Sequence, residues 1–128
     1  MSYLTVEMID ELRKYGFSFP EIERELCNQG NVFFFEGEEY VIGGKCNGTP
    51  LSEQDKRASL EGKWLPTTDQ LVLWLQWKIN KDVTIKYDSE KMYFYSEIAD
   101  ADGSVQIGSG PDLLCSLYKL ILKILKNK

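Results

Sequence analysis

The acidic run Asp100-Ala101-Asp102-Gly103 is the part of the chain most similar to the start of a calcium-binding loop. A complete loop of that kind needs a glycine at its sixth position and a bidentate glutamate at its twelfth. Counted from Asp100, those positions hold Val105 and Pro111. The residues for the turn and for the strongest ligand are both missing. We therefore predict a hairpin turn, in which Asp and Gly supply the left-handed backbone.

A second candidate for chemistry is Gly108-Ser109-Gly110, which precedes a predicted helix and could place free N–H groups around a phosphate. Pro111 has no N–H to offer an anion, and Asp112 would repel one. The pattern therefore predicts a turn and a helix cap. The acidic run 36–39 contains close carboxylates, but acid–base catalysis needs two carboxyl groups in different environments. Such a run is more typical of a solvated surface.

The 128-residue chain contains no histidine. This removes the commonest general base, the commonest zinc ligand and every Ser-His or Cys-His dyad within the chain. Nothing in the residue pattern marks a substitute built from Asp, Glu, Lys, Tyr or Cys. We therefore predict that the protein is not an enzyme and that it uses no cofactor and no metal.

Aromatic side chains are the strongest remaining signal for function. Alternation along the strand predicted from Met92 to Ile98 separates its side chains into two faces. If helices cover the face that contains Ile98, Tyr93 and Tyr95 lie in solvent beside Lys86. Such a face could stack the bases of a single-stranded nucleic acid. Cross-strand packing of half-exposed tyrosines and a dimer interface are the alternatives.

Two tryptophans pose a similar question. Trp74 lies on the main apolar face of a predicted helix, whereas Trp77 flanks that face and Trp64 lies in a linker. Tryptophan is enriched in interface hot spots, so an exposed Trp64 or Trp77 would mark a partner site, and burial in the core is the alternative. The candidate interaction surface therefore consists of Trp64, Trp77, Lys86, Tyr93 and Tyr95.

The elements that position these side chains follow from capping residues and periodicity. Helical spacing predicts helices after Thr5, from Ser18 and from Thr67 with Gln70 as a capping box, and a last helix capped by Ser109 and Asp112. β-Branched and aromatic runs predict strands at 32–35, 39–42, 83–87, 92–98 and 105–107. A linker, within which 52–61 could form a short exposed helix, separates the two halves. The order α-α-β-β, linker, α-β-β-β-α predicts a single α+β domain over 1–128, an antiparallel sheet with helices packed on one face.

The charge of the chain is uneven. Residues 1–66 hold 7 basic and 12 acidic side chains and residues 67–128 hold 8 of each, so the net charge of −5 lies in the first half. Duplex nucleic acid usually needs a basic excess, which this balance does not offer. The cysteines at 27, 46 and 115 have no paired spacing, and no run is apolar enough to cross a membrane. We expect a cytoplasmic protein with reduced cysteines and no membrane association.

Two segments carry a resemblance to a known group of proteins: Leu-Arg-Lys-Tyr-Gly-Phe at 12–17 and Trp-Leu-Pro-Thr-Thr-Asp-Gln-Leu-Val-Leu-Trp-Leu at 64–75. They resemble small uncharacterised proteins of phages, prophages and other mobile elements of gut-type bacteria. The resemblance depends on Leu12, Gly16, Phe17, Pro66, Trp74 and Leu75. The C-terminal half is also similar in element order to phage-encoded α-β-β-α sandwich domains. The resemblance implies a mobile-element origin and an α+β fold, and it implies no activity.

These observations favour a non-enzymatic interaction module that binds another protein or itself. Its acidic N-terminal half could engage a basic partner through charge complementarity. Binding of single-stranded nucleic acid on the face of Tyr93 and Tyr95 is the alternative from a different functional class.

Overall fold

A computed structural model of the chain describes residues 3–17, 31–43 and 53–127. The helix predicted from Ser18 lies outside these residues, as do Cys27 and Cys46. The remaining cysteine, Cys115, is a half-buried thiol without a disulfide bond.

The described residues form four helices: α1 (Val6–Arg13), α2 (Glu53–Glu61), α3 (Thr68–Trp74) and α4 (Leu113–Lys126). Their starts follow from capping chemistry, since a side-chain oxygen can satisfy an otherwise unpaired N–H in the first turn. Before α3, Thr67 and Gln70 form the predicted capping box, each side chain accepting from the other's main-chain N–H. Before α4, the Asp112 carboxylate accepts from the Cys115 N–H at 2.7 Å.

The third helix departs from its predicted course near its end. Apolar periodicity predicts an α-helix continuing to Ile79, but a π-helical turn occupies Leu75–Ile79 and ends at Asn80, whose φ is 59°. A π turn holds an additional residue, so the side chains beyond its start are rotated relative to an uninterrupted α-helix.

Six strands form two antiparallel sheets in the described part of the chain. The first sheet has the order β2-β1-β3, with β1 (Val32–Phe35), β2 (Glu38–Val41) and β3 (Lys63–Trp64). The second has the order β4-β5-β6, with β4 (Thr84–Asp88), β5 (Tyr93–Ala99) and β6 (Val105–Gly110). The α+β prediction, with antiparallel strands and helices packed against sheet, is confirmed. The strands form two sheets rather than the single sheet predicted, and the first sheet includes β3, which comes from the predicted linker and pairs with β1.

Helix α4 packs on one face of the second sheet, against β5 and β6. Two glycines of β6 allow this close approach. A Cβ atom at Gly108 would collide with the main chain of Ser116 and Leu120, and one at Gly110 would lie 2.8 Å from the Sγ of Cys115. The Gly-x-Gly spacing puts both glycines on the face beneath the helix, because side chains alternate along a strand.

The buried apolar side chains of both sheets and of the helices form one cluster. An aromatic group joins its parts: the Phe17 ring lies 6.0 Å from that of Trp64 and 4.9 Å from that of Trp74, measured between centroids. These contacts hold the end of α1 against β3 and α3. The ion pair between Lys63 Nζ and Asp10 Oδ1, at 2.8 Å, also connects β3 with α1.

Candidate interaction surface

The second sheet has a face that α4 does not cover. Cross-strand register puts Lys86 opposite Tyr95, and Glu97 opposite Ile107. These side chains therefore share one face with their alternate neighbours on each strand. We call this surface the open face. It includes Lys86, Tyr93, Tyr95, Glu97, Val105 and Ile107.

Along β5 and β6, exposure differs between the two faces of this sheet, whereas on β4 the face on the α4 side is also exposed, at Ile85 (43%) and Tyr87 (52%). On the face beneath α4, Ser96 is fully buried and Ile98 is 2% exposed. On the open face, Tyr93 is 40% exposed, Ile107 40% and Val105 50%. The alternation predicted for β5 therefore separates a buried face from an exposed one.

The open face contains one ion pair and one further carboxylate. Lys86 Nζ lies 2.9 Å from Glu97 Oε1 across the β4–β5 pair, so its positive charge is partly neutralised. The Asp88 carboxylate lies at the end of β4 and accepts hydrogen bonds from the N–H groups of Glu90 and Lys91. The surface is therefore aromatic and apolar, with one ion pair, and it lacks a run of unpaired lysines among its described residues.

The structure brings three of the five predicted surface residues together: Lys86, Tyr93 and Tyr95. Tyr95 is half-buried, directly opposite Lys86. Trp77 is 44% exposed but lies on the π-helical turn, a different element. Trp64 is only 5% exposed and stacks on Phe17, so it belongs to the core and not to an accessible surface.

Besides Glu97, two residues of the open face were not among the predicted ones. Val105 and Ile107 lie on β6, opposite Ala99 and Glu97. A signal for them exists in the sequence, because the tight turn at 100–103 fixes the register between the two strands on either side. Their alternation with Gly108 would then have placed them on the side away from the helix.

A buried carboxylate also lies outside the predicted set. Asp55 of α2 is 6% exposed, and its Oδ1 accepts a hydrogen bond from the Tyr40 hydroxyl at 2.6 Å. Asp55 lines neither the groove beside the start of α1 nor the groove between β6 and α4. Its hydrogen bond joins α2 to β2, so this polar pair contributes to the packing of α2 against the first sheet.

A groove of about 560 Å³ lies beside the start of α1, between Tyr3, Glu7, Phe34 and Glu39. The Tyr3 hydroxyl donates to the Glu39 carboxylate, and this hydrogen bond is the main cause that raises the pKa of Tyr3. The wall of the groove contains this hydrogen-bonded pair together with the Glu7 side chain.

Among the described side chains, no group of three or more Asp, Glu and Cys is placed to hold a metal ion. None of the helices in the described ranges is long and apolar enough to cross a bilayer.

Comparison with known protein families, with curated proteins and with solved structures finds no match to this chain.

Proposed function

We propose that the protein is a non-enzymatic interaction module and that the open face of the second sheet is its contact surface for another protein or a second copy. The observation that carries this proposal is the exposure of Tyr93, Val105 and Ile107 on the face of the sheet opposite the one that α4 packs against along β5 and β6. Exposed apolar and aromatic side chains on one face of a rigid element are typical of protein–protein contact surfaces.

The polar part of the open face supports the same function. The pair of Lys86 and Glu97 lies beside Tyr95, so aromatic area is next to balanced charge. An interface commonly combines a desolvated aromatic centre with a polar rim. A partner that supplies apolar side chains opposite Tyr93 and Ile107 would bury them without leaving an isolated charge in the contact.

The test compares two double variants that each remove two exposed apolar side chains. Tyr93→Ser/Val105→Ser alters the open face, and Val41→Ser/Leu60→Ser alters exposed positions on other elements. Sedimentation velocity over a concentration series measures self-association, and retention of host proteins on immobilised protein measures partner binding. We expect the open-face variant to weaken whichever association the native chain makes by about tenfold or more. Equal association by both variants and the native chain would contradict the proposal.

Single-stranded nucleic acid is the second candidate ligand, since Tyr93 and Tyr95 lie on the same face two residues apart. Base stacking on such tyrosines contributes about 1–3 kcal/mol per base. The pairing of Lys86 with Glu97 weighs against it, because backbone phosphates would compete with a carboxylate for this lysine. Salt-dependent binding of a labelled oligonucleotide, lost in Tyr93→Ala/Tyr95→Ala, would support this candidate, and no binding at low salt would refute it.

We also propose a cytoplasmic location and a phage or mobile-element origin. The odd number of cysteines without paired spacing supports the first, and the resemblance at 12–17 and 64–75 supports the second. Genes neighbouring the coding sequence provide the test: adjacent phage replication or structural genes are the expected result, and a conserved metabolic operon would contradict it.

A further inference from the structure

The outer edge of β6 offers a defined set of main-chain groups. At the β5–β6 turn, the Asp100 N–H donates to the Ser104 carbonyl at 2.7 Å, which makes these residues a hydrogen-bonded pair. Bonded and non-bonded pairs alternate along an antiparallel ladder. This alternation turns the N–H and C=O groups of Val105, Ile107 and Ser109 away from β5. No strand in the described part of the chain pairs with that edge.

A groove of about 300 Å³ runs between this edge and α4. Its β6 wall contains Ile107 and Ser109, and its helical wall is a stripe of four residues at the spacing of one helix face: Lys119, Leu122, Lys123 and Lys126. The groove therefore combines a strand edge, an apolar strip and three cationic side chains.

The three lysines of the groove are not committed to described carboxylates. The ion pairs among the described residues involve other lysines and Arg57. Lys126 Nζ lies 5.4 Å from the centre of the Tyr15 ring, and Lys119 and Lys123 are exposed. In a chain with a net charge of −5, this groove is a local positive surface.

Lys123 shows that the strand edge accepts a hydrogen bond from outside the sheet. Its Nζ donates to the Ile107 carbonyl at 2.6 Å. This carbonyl is one of the groups that the ladder turns outward. A strand added to β6 would bring its own N–H to that carbonyl, and Lys123 would then be available to pair with a carboxylate of the added strand.

We propose that this groove binds an extended protein segment with Asp or Glu at alternate positions, which adds to the edge of β6 as a fourth strand. Along a helix, residues four apart are separated by about 6 Å. Alternate side chains of a strand are separated by about 6.6 Å. Two carboxylates on one face of the added strand would therefore lie opposite Lys119 and Lys123. Main-chain hydrogen bonds would supply the register, and the lysines would select for acidic sequences.

The groove must be distinguished from the open face and from a strand edge that lysines merely protect from pairing. The open face is the surface of the sheet away from α4, whereas the groove lies at the edge of β6 beside α4, and the two sites share only Ile107 among the residues named for them. Binding of an acidic segment in the groove therefore goes beyond the proposed function of the open face. A lysine beside a strand edge can also serve only to keep that edge from pairing. Titration of labelled peptides distinguishes this protective role from peptide binding.

The experiment measures fluorescence anisotropy of a short labelled peptide that alternates Glu and Thr, titrated with the full chain. A matched peptide alternating Gln and Thr tests charge. A third peptide, with the acidic sequence but alternate main-chain nitrogens methylated, tests strand addition. We expect binding of the first peptide only, weakened by added salt because the charges are exposed.

The variant Lys119→Gln/Lys123→Gln/Lys126→Gln tests the groove, and Lys56→Gln/Lys78→Gln/Lys91→Gln is a control with the same change in net charge. We expect the groove variant to lose roughly tenfold in affinity, since exposed ion pairs contribute modestly and the variant removes the two proposed pairs together with the charge of Lys126. The control should change affinity by less than about twofold, because its lysines lie outside the groove. The open-face variant Tyr93→Ser should bind the peptide like the native chain, because Tyr93 lies on β5 and outside the groove.

Four results would overturn the proposal. These are no binding of the acidic peptide, equal losses in the groove and control variants, equal binding of the methylated peptide, and displacement of the acidic peptide by oligothymidylate at lower concentration. The first assigns Lys123 to edge protection alone, and the last assigns the groove to nucleic-acid phosphates. A variant that loses partner binding at the open face should still bind the acidic peptide in the groove.

Discussion

Gly108 on β6 lies directly beneath the main chain of Ser116 on α4, with no space for a methyl group between them. A Cβ atom at this position would also come within 2.8 Å of the Leu120 Cα. All of these neighbours are backbone atoms, which cannot rotate away as a flexible side chain can. This contact therefore fixes the distance between α4 and the second sheet. The open face is the surface of that sheet that α4 leaves uncovered.

Gly108→Ala should destabilise the protein by about 1–3 kcal/mol, because the helix would have to move off the strand. Urea unfolding followed by circular dichroism measures the change. Ser109→Ala is the matched control, one residue along and on the other face of β6, and should stay within about 0.5 kcal/mol. Indistinguishable unfolding midpoints for the two variants would show that there is space for a methyl group between β6 and α4 at position 108.

Two isoleucines on opposite faces of the second sheet should respond differently to truncation. Ile98 is 2% exposed beneath α4, so Ile98→Ala should cost about 2–5 kcal/mol through lost burial and a residual cavity. Ile107 lies on the open face, and Ile107→Ala should cost less than about 1 kcal/mol, the range of strand propensity. Denaturant unfolding of the two variants checks the difference. Comparable losses would mean that the open face is covered in solution.

The capping box before α3 should contribute measurably to stability. Thr67→Ala removes the oxygen that accepts from the Gln70 N–H and should lower stability by about 0.5–2 kcal/mol. Thr67→Ser keeps that oxygen and should retain most of the stability, as thermal unfolding would show. A serine variant as unstable as the alanine variant would indicate that the threonine methyl group, and not the cap, is the important part.

Asp102 should titrate at a lower pH than an ordinary aspartate. Hydrogen bonds from the Ser104 hydroxyl and the Ser104 N–H lower the pKa of Asp102 below the ordinary value of 3.8. Because the pKa is lower in the folded state, the stabilisation is present above pH 3.8 and is lost as pH falls through the folded pKa. Ser104→Ala should raise the pKa of Asp102, as measured from its carboxyl carbon by NMR. An unchanged pKa would exclude the serine as the cause.

Local chemistry accounts for the parts of the fold that the sequence predicts well. The capping box at Thr67 and Gln70 is complete within four residues, and the turn at 100–103 closes through its own Asp and Gly residues. Alternation along β5 also separates its buried and exposed faces without reference to the rest of the chain. These features depend on neighbours in sequence, so a single sequence contains their cause.

Long-range contacts account for what the sequence does not predict. The strand β3 is two residues long and exists because Trp64 lies opposite Phe33. The burial of Trp64 depends on the distant Phe17 ring. The lysine groove needs both the α4 stripe and the outward groups of β6, which meet only after the helix has packed. No local sequence pattern predicts these long-range contacts.

The position of α4 in the chain has a consequence for folding. Helices α1 and α3 and strands β5 and β6 all contact α4, and all of them precede it in sequence. During synthesis, the apolar surfaces of these elements must remain without their common partner until residues 113–126 have left the ribosome. The strands β4, β5 and β6 can pair earlier, because short turns join them and the entropy cost of closing a short loop is small. Completion of the core, by contrast, is a late event that depends on one helix.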